Sequence, residues 1–417
     1  MLRNRSTIAL LAAGLVSTTG IQMTFVALPW FVLVTTGSVA RMSFVLAAEI
    51  APMALFGVPS GSVVARLGGR RTMLLSDLLR APLVALVPVL HWAGGLSFGL
   101  LLAVVFVLGL FSAPFYAAQR TIIPELYGDD ERVVAKVSAA FGGATQVTLI
   151  LGPALGGLLV ASIGAADVLL VDAATYVGAF VLVLVLVQAG RPAARDESSR
   201  GVLASVRFLA RDRLLGPMTL TVILLDAAAA ALFTSLPALS YLRFGQDPRV
   251  VGWLFAAFGI GALAGSVVAM RALERFSPPR LAGGAMVLVV LPLWALVATL
   301  PWEAVGAVLL ACGLVVPLVN APIIGMLSTR PPQALRAKVM TAVMTASALG
   351  GPAGRLVVGP MFVRFGISAT YAVLAGAISL GALLFALTTL RASESPSAPT
   401  HGLARSGEAS APAPAGR

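Results

Sequence analysis

Long apolar runs separated by short polar segments make up most of the chain. Each run has at least the roughly 20 residues that an α-helix needs to cross the hydrocarbon core of a bilayer. The third and fourth runs share the charge-free stretch 81–119, for which Gly94-Gly95 is the predicted turn. The pattern predicts twelve membrane-spanning helices, near 7–35, 42–64, 73–93, 96–119, 137–162, 166–188, 215–242, 250–270, 281–300, 303–327, 338–362 and 367–390.

Lys and Arg residues alternate between the two ends of these helices. The loops on one side hold 24 of them and the loops on the other side hold 4, with Arg355 left inside a span. Cytoplasmic loops carry the excess of basic residues, so both termini are predicted to be cytoplasmic. The first apolar run is too long for the apolar part of a cleaved signal peptide, and we interpret it as the first span.

Three short sequence matches indicate an internal repeat. Gly61–Ala65 and Gly265–Ala269 both read GSVVA, at an offset of 204 residues. An AKV pair follows at offset 202 and a GPA pair at offset 199. Matches in the same order at nearly one spacing predict two pseudo-symmetric six-helix bundles with a central site between them. The predicted organisation is a first bundle at 1–188, a cytoplasmic linker at 189–212, a second bundle at 213–390 and a disordered cytoplasmic tail at 391–417.

Composition excludes several functional classes. Of the 417 residues, 59% are hydrophobic and 11% are charged, against about 25% charged in a soluble domain. The net charge of +12 lies in short loop clusters, so we expect a lipid bilayer as the partner and no nucleic acid. Cys312 is the single cysteine, and neither Lys136 nor Lys338 follows a glycine. We therefore expect no metal site, no cofactor, no phosphate-binding P-loop and no enzyme activity. Any active transport would draw on an ion gradient or a partner chain.

The chain resembles the major facilitator superfamily up to about residue 390. The loop after the second helix, Gly61 followed by Arg66-Leu67-Gly68-Gly69-Arg70-Arg71, is similar to the signature loop of that superfamily. The usual aspartate is Ala65 here, and one usual arginine is Gly69. The resemblance implies alternating access by rocking of the two bundles. It also implies a conformational role for this loop, including Gly61, Arg66, Arg70 and Arg71.

A second motif resembles drug–proton antiporters. Leu151-Gly152-Pro153-Ala154-Leu155-Gly156-Gly157 is similar to their fifth-helix Gly-Pro motif, which implies a kinked hinge and seal. The alternative for Gly152, Pro153, Gly156 and Gly157 is ordinary small-residue packing. Ile123-Pro124-Glu125-Leu126 and the segment around Asn320 resemble the group of enterobactin exporters and macrolide efflux proteins. The function implied is export of lipophilic small molecules by proton antiport across the plasma (inner) membrane. Metabolite uptake and a non-transporting receptor or scaffold stay open as alternatives.

Asp226 is the first candidate for binding a proton or substrate. It lies near the middle of the seventh predicted helix, where a carboxylate costs at least about 2.5–3.5 kcal/mol to insert. In the family this helix lines the central cavity. A carboxylate there could carry a proton or hold a cationic solute, or it could be a structural group bonded to a neighbouring helix.

Glu49 and Arg355 are predicted to pair across the two bundles. Each lies about 10 Å below the outer end of its helix, and the family packs these two helices against each other. Opposite charges at one depth usually pair, so we expect a salt bridge that fastens the outer side. The alternatives are that each pairs within its own bundle or snorkels to the membrane interface.

The remaining candidates are weaker. Asp77 and Arg80, at the cytoplasmic end of the third predicted helix, could brace the basic loop or form a plain helical ion pair. Asp172 is expected to be structural. A set of polar and aromatic residues falls on the helices that line the cavity in the family, with core or lipid packing as the alternative: Gln22, Thr24, Trp30, Phe111, Phe115, Tyr116, Phe233 and Asn320.

Overall fold

The computed structural model describes residues 5–128, 131–188, 215–331 and 336–394. Within these ranges the chain forms twelve long helices. They are α1 (Arg5–Thr36), α2 (Val39–Leu67), α3 (Gly69–Trp92), α4 (Phe98–Tyr127), α5 (Glu131–Ile163), α6 (Ala165–Leu186), α7 (Leu215–Arg243), α8 (Pro248–Arg275), α9 (Pro278–Leu293, continued by a 3-10 turn, Trp294–Val297), α10 (Trp302–Thr329), α11 (336–365) and α12 (367–394).

The last two helices form an antiparallel hairpin about Gly366. Its φ of 76° and ψ of 178° lie outside the helical region and interrupt Arg336–Glu394, and glycine adopts this backbone without a Cβ clash. The rings of Phe362 and Tyr371 are 6.1 Å apart, although nine residues of straight helix rise about 13.5 Å. Gly354 and Gly381 also meet neighbouring positions of α7. The span candidate Gly350–Thr388, 39 residues long, therefore covers two crossings.

The predicted spans are confirmed, with longer helices than the apolar runs alone define. Eleven described helices are long and apolar enough to cross a membrane, and the last of them contains the α11–α12 hairpin. The turn predicted at Gly94 is confirmed, with φ of 69°. The tail prediction is wrong at its start, because α12 continues through 391–394. The linker prediction, 189–212, and the rest of the tail, 395–417, lie outside the described residues.

Packing repeats between α1–α6 and α7–α12. In the first set α1 packs on α5 and α6, α2 on α4, and α3 on α4 and α6. In the second set α7 packs on the α11–α12 hairpin, α8 on α10, and α9 on α10 and the hairpin. Gly109 of α4 and Gly313 of α10 both let their helix approach the backbone of the neighbouring α2 or α8. They are 204 residues apart, so the predicted repeat extends to helix contacts.

The two sets meet mainly through two helix pairs, α2 with α11 and α5 with α8, and α1 adds smaller contacts with α7 and α8. Twelve antiparallel crossings return the chain to the side on which it began. We call the side where α1 begins and α12 ends the termini side, and the opposite side the far side.

Candidate functional site

A cavity of about 310 Å³ lies between the two six-helix sets. Five helices line it: α1, α5, α7, α8 and α11. The lining residues are Gln22, Phe25, Gln146, Leu149, Ile150, Pro153, Ala230, Phe233, Phe255, Phe258, Gly259, Ala262 and Arg355. Apolar and aromatic side chains with a few convergent polar groups are the usual lining of a small-molecule site.

Four phenylalanines form one continuous aromatic wall in this cavity. Phe25 meets Phe255 edge-on, with ring centroids 5.3 Å apart. Phe233 stacks on Phe255 at 5.8 Å and meets Phe258 edge-on at 4.8 Å. Because Phe25 belongs to α1 and the other three to α7 and α8, the wall crosses between the two helix sets and presents flat apolar faces to a ligand.

On the far side the two sets touch backbone to backbone. A Cβ placed on Gly157 of α5 would lie 2.6 Å from the Pro248 carbonyl oxygen of α8, and one on Gly252 would lie 2.7 Å from the Pro153 oxygen. A Cβ on Gly359 of α11 would lie 2.6 Å from the Ala40 Cα of α2. Small residues thus permit both contacts between the sets.

The Gly-Pro motif occupies this contact. Gly157 and Pro153 face α8, whereas Gly152 and Gly156 pack on Gln22 and Met23 of α1. The motif therefore joins α5 to both of its partners. This placement is compatible with a seal and with small-residue packing alike.

On the termini side the same four helices separate. Val45, Leu46 and Ala47 of α2 are at most 2% exposed, but Leu55 is 62% exposed and Phe56 is 40% exposed. Added Cβ atoms would meet nothing within 4 Å at a group of glycines on this side: Gly57 and Gly61 of α2, and Gly142 and Gly143 of α5. The cavity is therefore closed toward the far side and open toward the termini side.

Arg355 brings a buried guanidinium to the cavity. It is 8% exposed, and its Nε and Nη1 atoms have no hydrogen-bond partner in the described part of the chain. Its Cζ lies 5.3 Å from the Phe25 ring centroid. It lies eleven residues before Gly366, about 16 Å from the far end of α11.

Glu49 faces Arg355 from α2 without forming a direct salt bridge. The two charges attract each other through space. Within the described residues, however, the ion pairs closer than 4.0 Å do not include Glu49 with Arg355. Glu49 lies ten residues into α2, about 15 Å from its far end. Both groups are deeper than the 10 Å expected, because α2 begins earlier and α11 ends later than their apolar runs. Their equal depth agrees with the sequence, and the pairing stays a prediction.

Asp226 lies on the cavity-facing side of α7, one turn before Ala230, which lines the cavity. It is exposed and hydrogen-bonded to Ser347 of α11. Its carboxyl group is thus accessible and tied to the facing helix. The structure does not place it among the lining residues, so its role stays a prediction.

Asp77 and Arg80 form the helical ion pair that was one of the two interpretations. Both side chains are 0% exposed, so the pair lies inside the α1–α6 set. Arg80 lies between two rings, with its Cζ 3.8 Å from the Phe115 centroid and 4.3 Å from that of Tyr176. This buried cation–π arrangement is inside the α1–α6 set, and Arg80 no longer belongs in the count of loop charges.

Asp172 of α6 completes the buried polar group inside α1–α6. Its Oδ2 accepts a hydrogen bond from Thr24 of α1 at 2.6 Å, and its Oδ1 accepts one from Thr175 at 3.1 Å. Gly20 allows α1 to approach this carboxylate closely. The expected structural role agrees with these contacts. Within the described ranges no group of three His, Cys, Asp or Glu side chains could hold a metal ion.

The signature loop is held by contacts that the sequence did not indicate. Glu125 of α4 accepts the Gly69 N–H at 2.8 Å and so caps the N-terminus of α3. Arg70 donates to the carbonyls of Leu184 and Val187 at 2.7 Å, at the end of α6. Anions are favoured at helix N-termini and cations at C-termini, so the helix dipoles favour both contacts. Each contact joins two helices of the first set. Gly61, Arg66 and Arg71 are exposed.

The predicted lining residues divide into two groups. Gln22 and Phe233 line the cavity. Phe115 is fully buried beside Arg80, with Tyr116 against it. Three others are also outside the lining: Phe111, Trp30, which meets Tyr241 edge-on, and Asn320, which is exposed. The sequence analysis did not identify four lining residues: Phe25, Gln146, Phe255 and Phe258. The one sequence feature that marks them is an amide or aromatic side chain within an apolar run.

Comparisons with known proteins agree on the class of molecule. A family model described as transmembrane secretion effector (MFS_3) matches residues 2–406. The multidrug efflux pump Tap of Mycolicibacterium fortuitum is 28% identical over 396 residues, which cover 91% of this chain and 94% of that protein. The Tap of Mycobacterium tuberculosis (strain ATCC 25618 / H37Rv) is 29% identical over 391 residues, 88% and 89% of the two chains.

Solved structures share the fold at low identity. The nucleoside transporter NupG superposes with a TM-score of 0.71 at 13% identity, covering 92% of this chain and 98% of that one. A bacterial homologue of the human lysosomal transporter Spinster, in an inward-facing and occupied conformation, gives 0.68 at 14% identity over 92% and 93%. The two six-helix sets thus have the fold of these transporters.

Proposed function

We propose that this chain, which belongs to the transmembrane secretion effector family of the major facilitator superfamily, exports lipophilic small molecules across the plasma (inner) membrane. The observation that carries the proposal is the aromatic cavity between the two bundles, closed on the far side and open on the termini side. Relatives that align along nearly the whole chain are named multidrug efflux pumps, which supports drug-like cargo.

The direction of opening depends on the orientation of the chain. The excess of Lys and Arg in the loops of the termini side supports a cytoplasmic location for that side and for both termini. The cavity then opens to the cytoplasm, as an exporter requires when it loads. Lipophilic solutes would enter it from the cytoplasm.

Transport follows by rocking of the two bundles, 1–188 and 213–390, joined by the linker 189–212. The contacts of α2 with α11 and of α5 with α8 part on the far side, while the ends of the same helices close on the termini side. The signature loop moves with the first bundle, because Arg70 and Glu125 tie it to α6 and α4.

The proposed source of energy is a proton gradient, which the protein would use by exchanging protons for its substrate. Asp226 is accessible near the cavity and hydrogen-bonded to Ser347 of the facing helix, so protonation of its carboxyl group would change a contact between α7 and α11. Intramembrane carboxylates commonly form proton pathways in transporters. Asp226 would exchange its proton with the side to which the cavity is open.

Everted membrane vesicles from an efflux-deficient host test the proposal. With an inside-acid proton gradient, vesicles that contain the protein should accumulate a fluorescent lipophilic compound, and an uncoupler should release it. Vesicles from the same host without the protein serve as the matched control. A panel of chemically diverse compounds of which none accumulates would contradict export and favour a receptor or scaffold. Movement only out of the everted vesicles would favour uptake into the cell.

A further inference from the structure

Arg355 differs from the other deeply buried arginine of the described chain. Arg80 has Asp77 as its ion-pair partner and lies between the rings of Phe115 and Tyr176. Arg355 has one ring nearby, that of Phe25, and no ion pair closer than 4.0 Å within the described residues. Its Nε and Nη1 atoms lack hydrogen-bond partners, as those of Arg80 do. A buried charged group whose donors lack hydrogen-bond partners costs free energy. An anionic partner would therefore stabilise the buried charge of Arg355.

Arg355 lines the cavity, although its Nε and Nη1 atoms are themselves buried. Among the described lining residues Arg355 is the single charged one. Two carboxylates lie near the cavity without belonging to its lining. Glu49 of α2 attracts Arg355 through space, and Asp226 of α7 is bonded to Ser347. Neither forms an ion pair closer than 4.0 Å with Arg355 in the described part of the chain, so the charge of Arg355 has no direct counterion there.

The surroundings of Arg355 also limit the rest of the ligand. Phe25 joins the guanidinium to the aromatic wall of Phe255 and Phe233. Gln22 and Gln146 add amide donors and acceptors on the α1 and α5 sides. A planar aromatic body can lie along the wall while an acidic substituent, such as a carboxylate or sulfonate, lies beside the positive charge of Arg355.

We propose that the cavity selects aromatic amphiphiles that carry an anionic group, with Arg355 binding the anion and the phenylalanine wall binding the aromatic body. The proposal rests on the proposed function, because it takes this cavity as the substrate site. Ligands with a cationic group in the same place would lie against the positive charge of Arg355 and bind less well.

Three anthracene probes of one ring shape test this selection: the 9-carboxylate, the neutral 9-methanol and the cationic 9-aminomethyl compound. Their binding to the purified full chain in lipid nanodiscs is measured by fluorescence anisotropy, with empty nanodiscs as background. The wild-type protein should bind the carboxylate about tenfold or more tightly than the other two, since charged hydrogen bonds are involved. Equal binding of all three, or preference for the cation, overturns the proposal without any variant.

Variants locate the effect. Arg355→Gln should remove the preference, and Arg355→Lys should keep part of it. Arg364→Gln, at an exposed position of the same helix, should leave it unchanged. The Arg355→Gln protein must elute in gel filtration and unfold on heating as the wild type does. If it still prefers the carboxylate probe, the assignment of anion binding to Arg355 is overturned. Because binding is measured without transport, a protein that selects the anion yet accumulates nothing in vesicles would contradict the proposed export alone.

Discussion

Gly157 of α5 and Gly252 of α8 lie against each other where the two bundles meet. A Cβ on Gly157 would stand 3.0 Å from the Gly252 nitrogen, and one on Gly252 would stand 3.1 Å from the Ala154 Cα. These atoms belong to backbone, which cannot turn away as a flexible side chain can. The far-side closure therefore depends on the absence of side chains at this pair.

A valine at Gly157 should open the far side. Overpacking a close contact costs about 1–3 kcal/mol, which would lower the equilibrium constant between the closed and the open far side about 5- to 150-fold. Spin labels at S162C and R249C, in a Cys312→Ser background, report the separation of α5 and α8 there. The distance between the labels should increase in Gly157→Val, and compound accumulation in everted vesicles should fall.

The matched control for that variant is Gly143→Val. Gly143 lies on the same helix with nothing within 4 Å of an added Cβ. It should leave the label distance and the accumulation unchanged. An unchanged distance in Gly157→Val would show that the α5–α8 contact does not close the far side.

Replacing Arg80 should destabilise the α1–α6 bundle. Arg80→Leu leaves Asp77 buried without its charged partner, for which the loss of unfolding free energy is about 3–5 kcal/mol. The double variant Asp77→Asn with Arg80→Leu should lose less, because no carboxylate is stranded. Unfolding in detergent, followed by tryptophan fluorescence, measures both, with Arg364→Leu as the exposed control. If Arg80→Leu unfolds like the wild type, the buried cluster contributes no stability.

The sequence was sufficient for the crossings and insufficient for the faces of the helices. Apolar runs of spanning length define the twelve helices, because a helix must be about 20 apolar residues long to cross the hydrocarbon core. The loop charges separate these helices, because Lys and Arg collect in the loops of one side. The direction in which a side chain points within a uniformly apolar helix depends on its neighbours. Phe115 and Phe255 are equally plausible lining residues in the sequence, yet Phe115 packs on Arg80 and Phe255 lines the cavity. The sequence likewise counts Arg80 among the loop charges, whereas Arg80 and Asp77 are fully buried.

Asp226→Asn should abolish or uncouple transport in a folded protein. Asparagine keeps the size and hydrogen-bonding capacity for Ser347 but cannot take up or release a proton. Accumulation driven by a proton gradient in everted vesicles should be lost, while downhill exchange of the compound across the membrane can persist. Glu274→Gln, an exposed carboxylate at the end of α8, is the control and should transport normally. Gradient-driven accumulation at the wild-type rate in Asp226→Asn would remove this residue from the mechanism.

Glu49 and Arg355 should be coupled energetically even though they form no direct ion pair in this conformation. Their charges act on each other across the α2–α11 contact, and buried charges are weakly screened by salt. A double-mutant cycle with Glu49→Gln and Arg355→Gln, measured on unfolding in detergent, should give a coupling of about 0.5–3 kcal/mol. The same cycle with Glu274→Gln in place of Glu49→Gln should be additive within about 0.5 kcal/mol. Additivity of the Glu49 and Arg355 variants would show that these two charges do not fasten the bundles to each other.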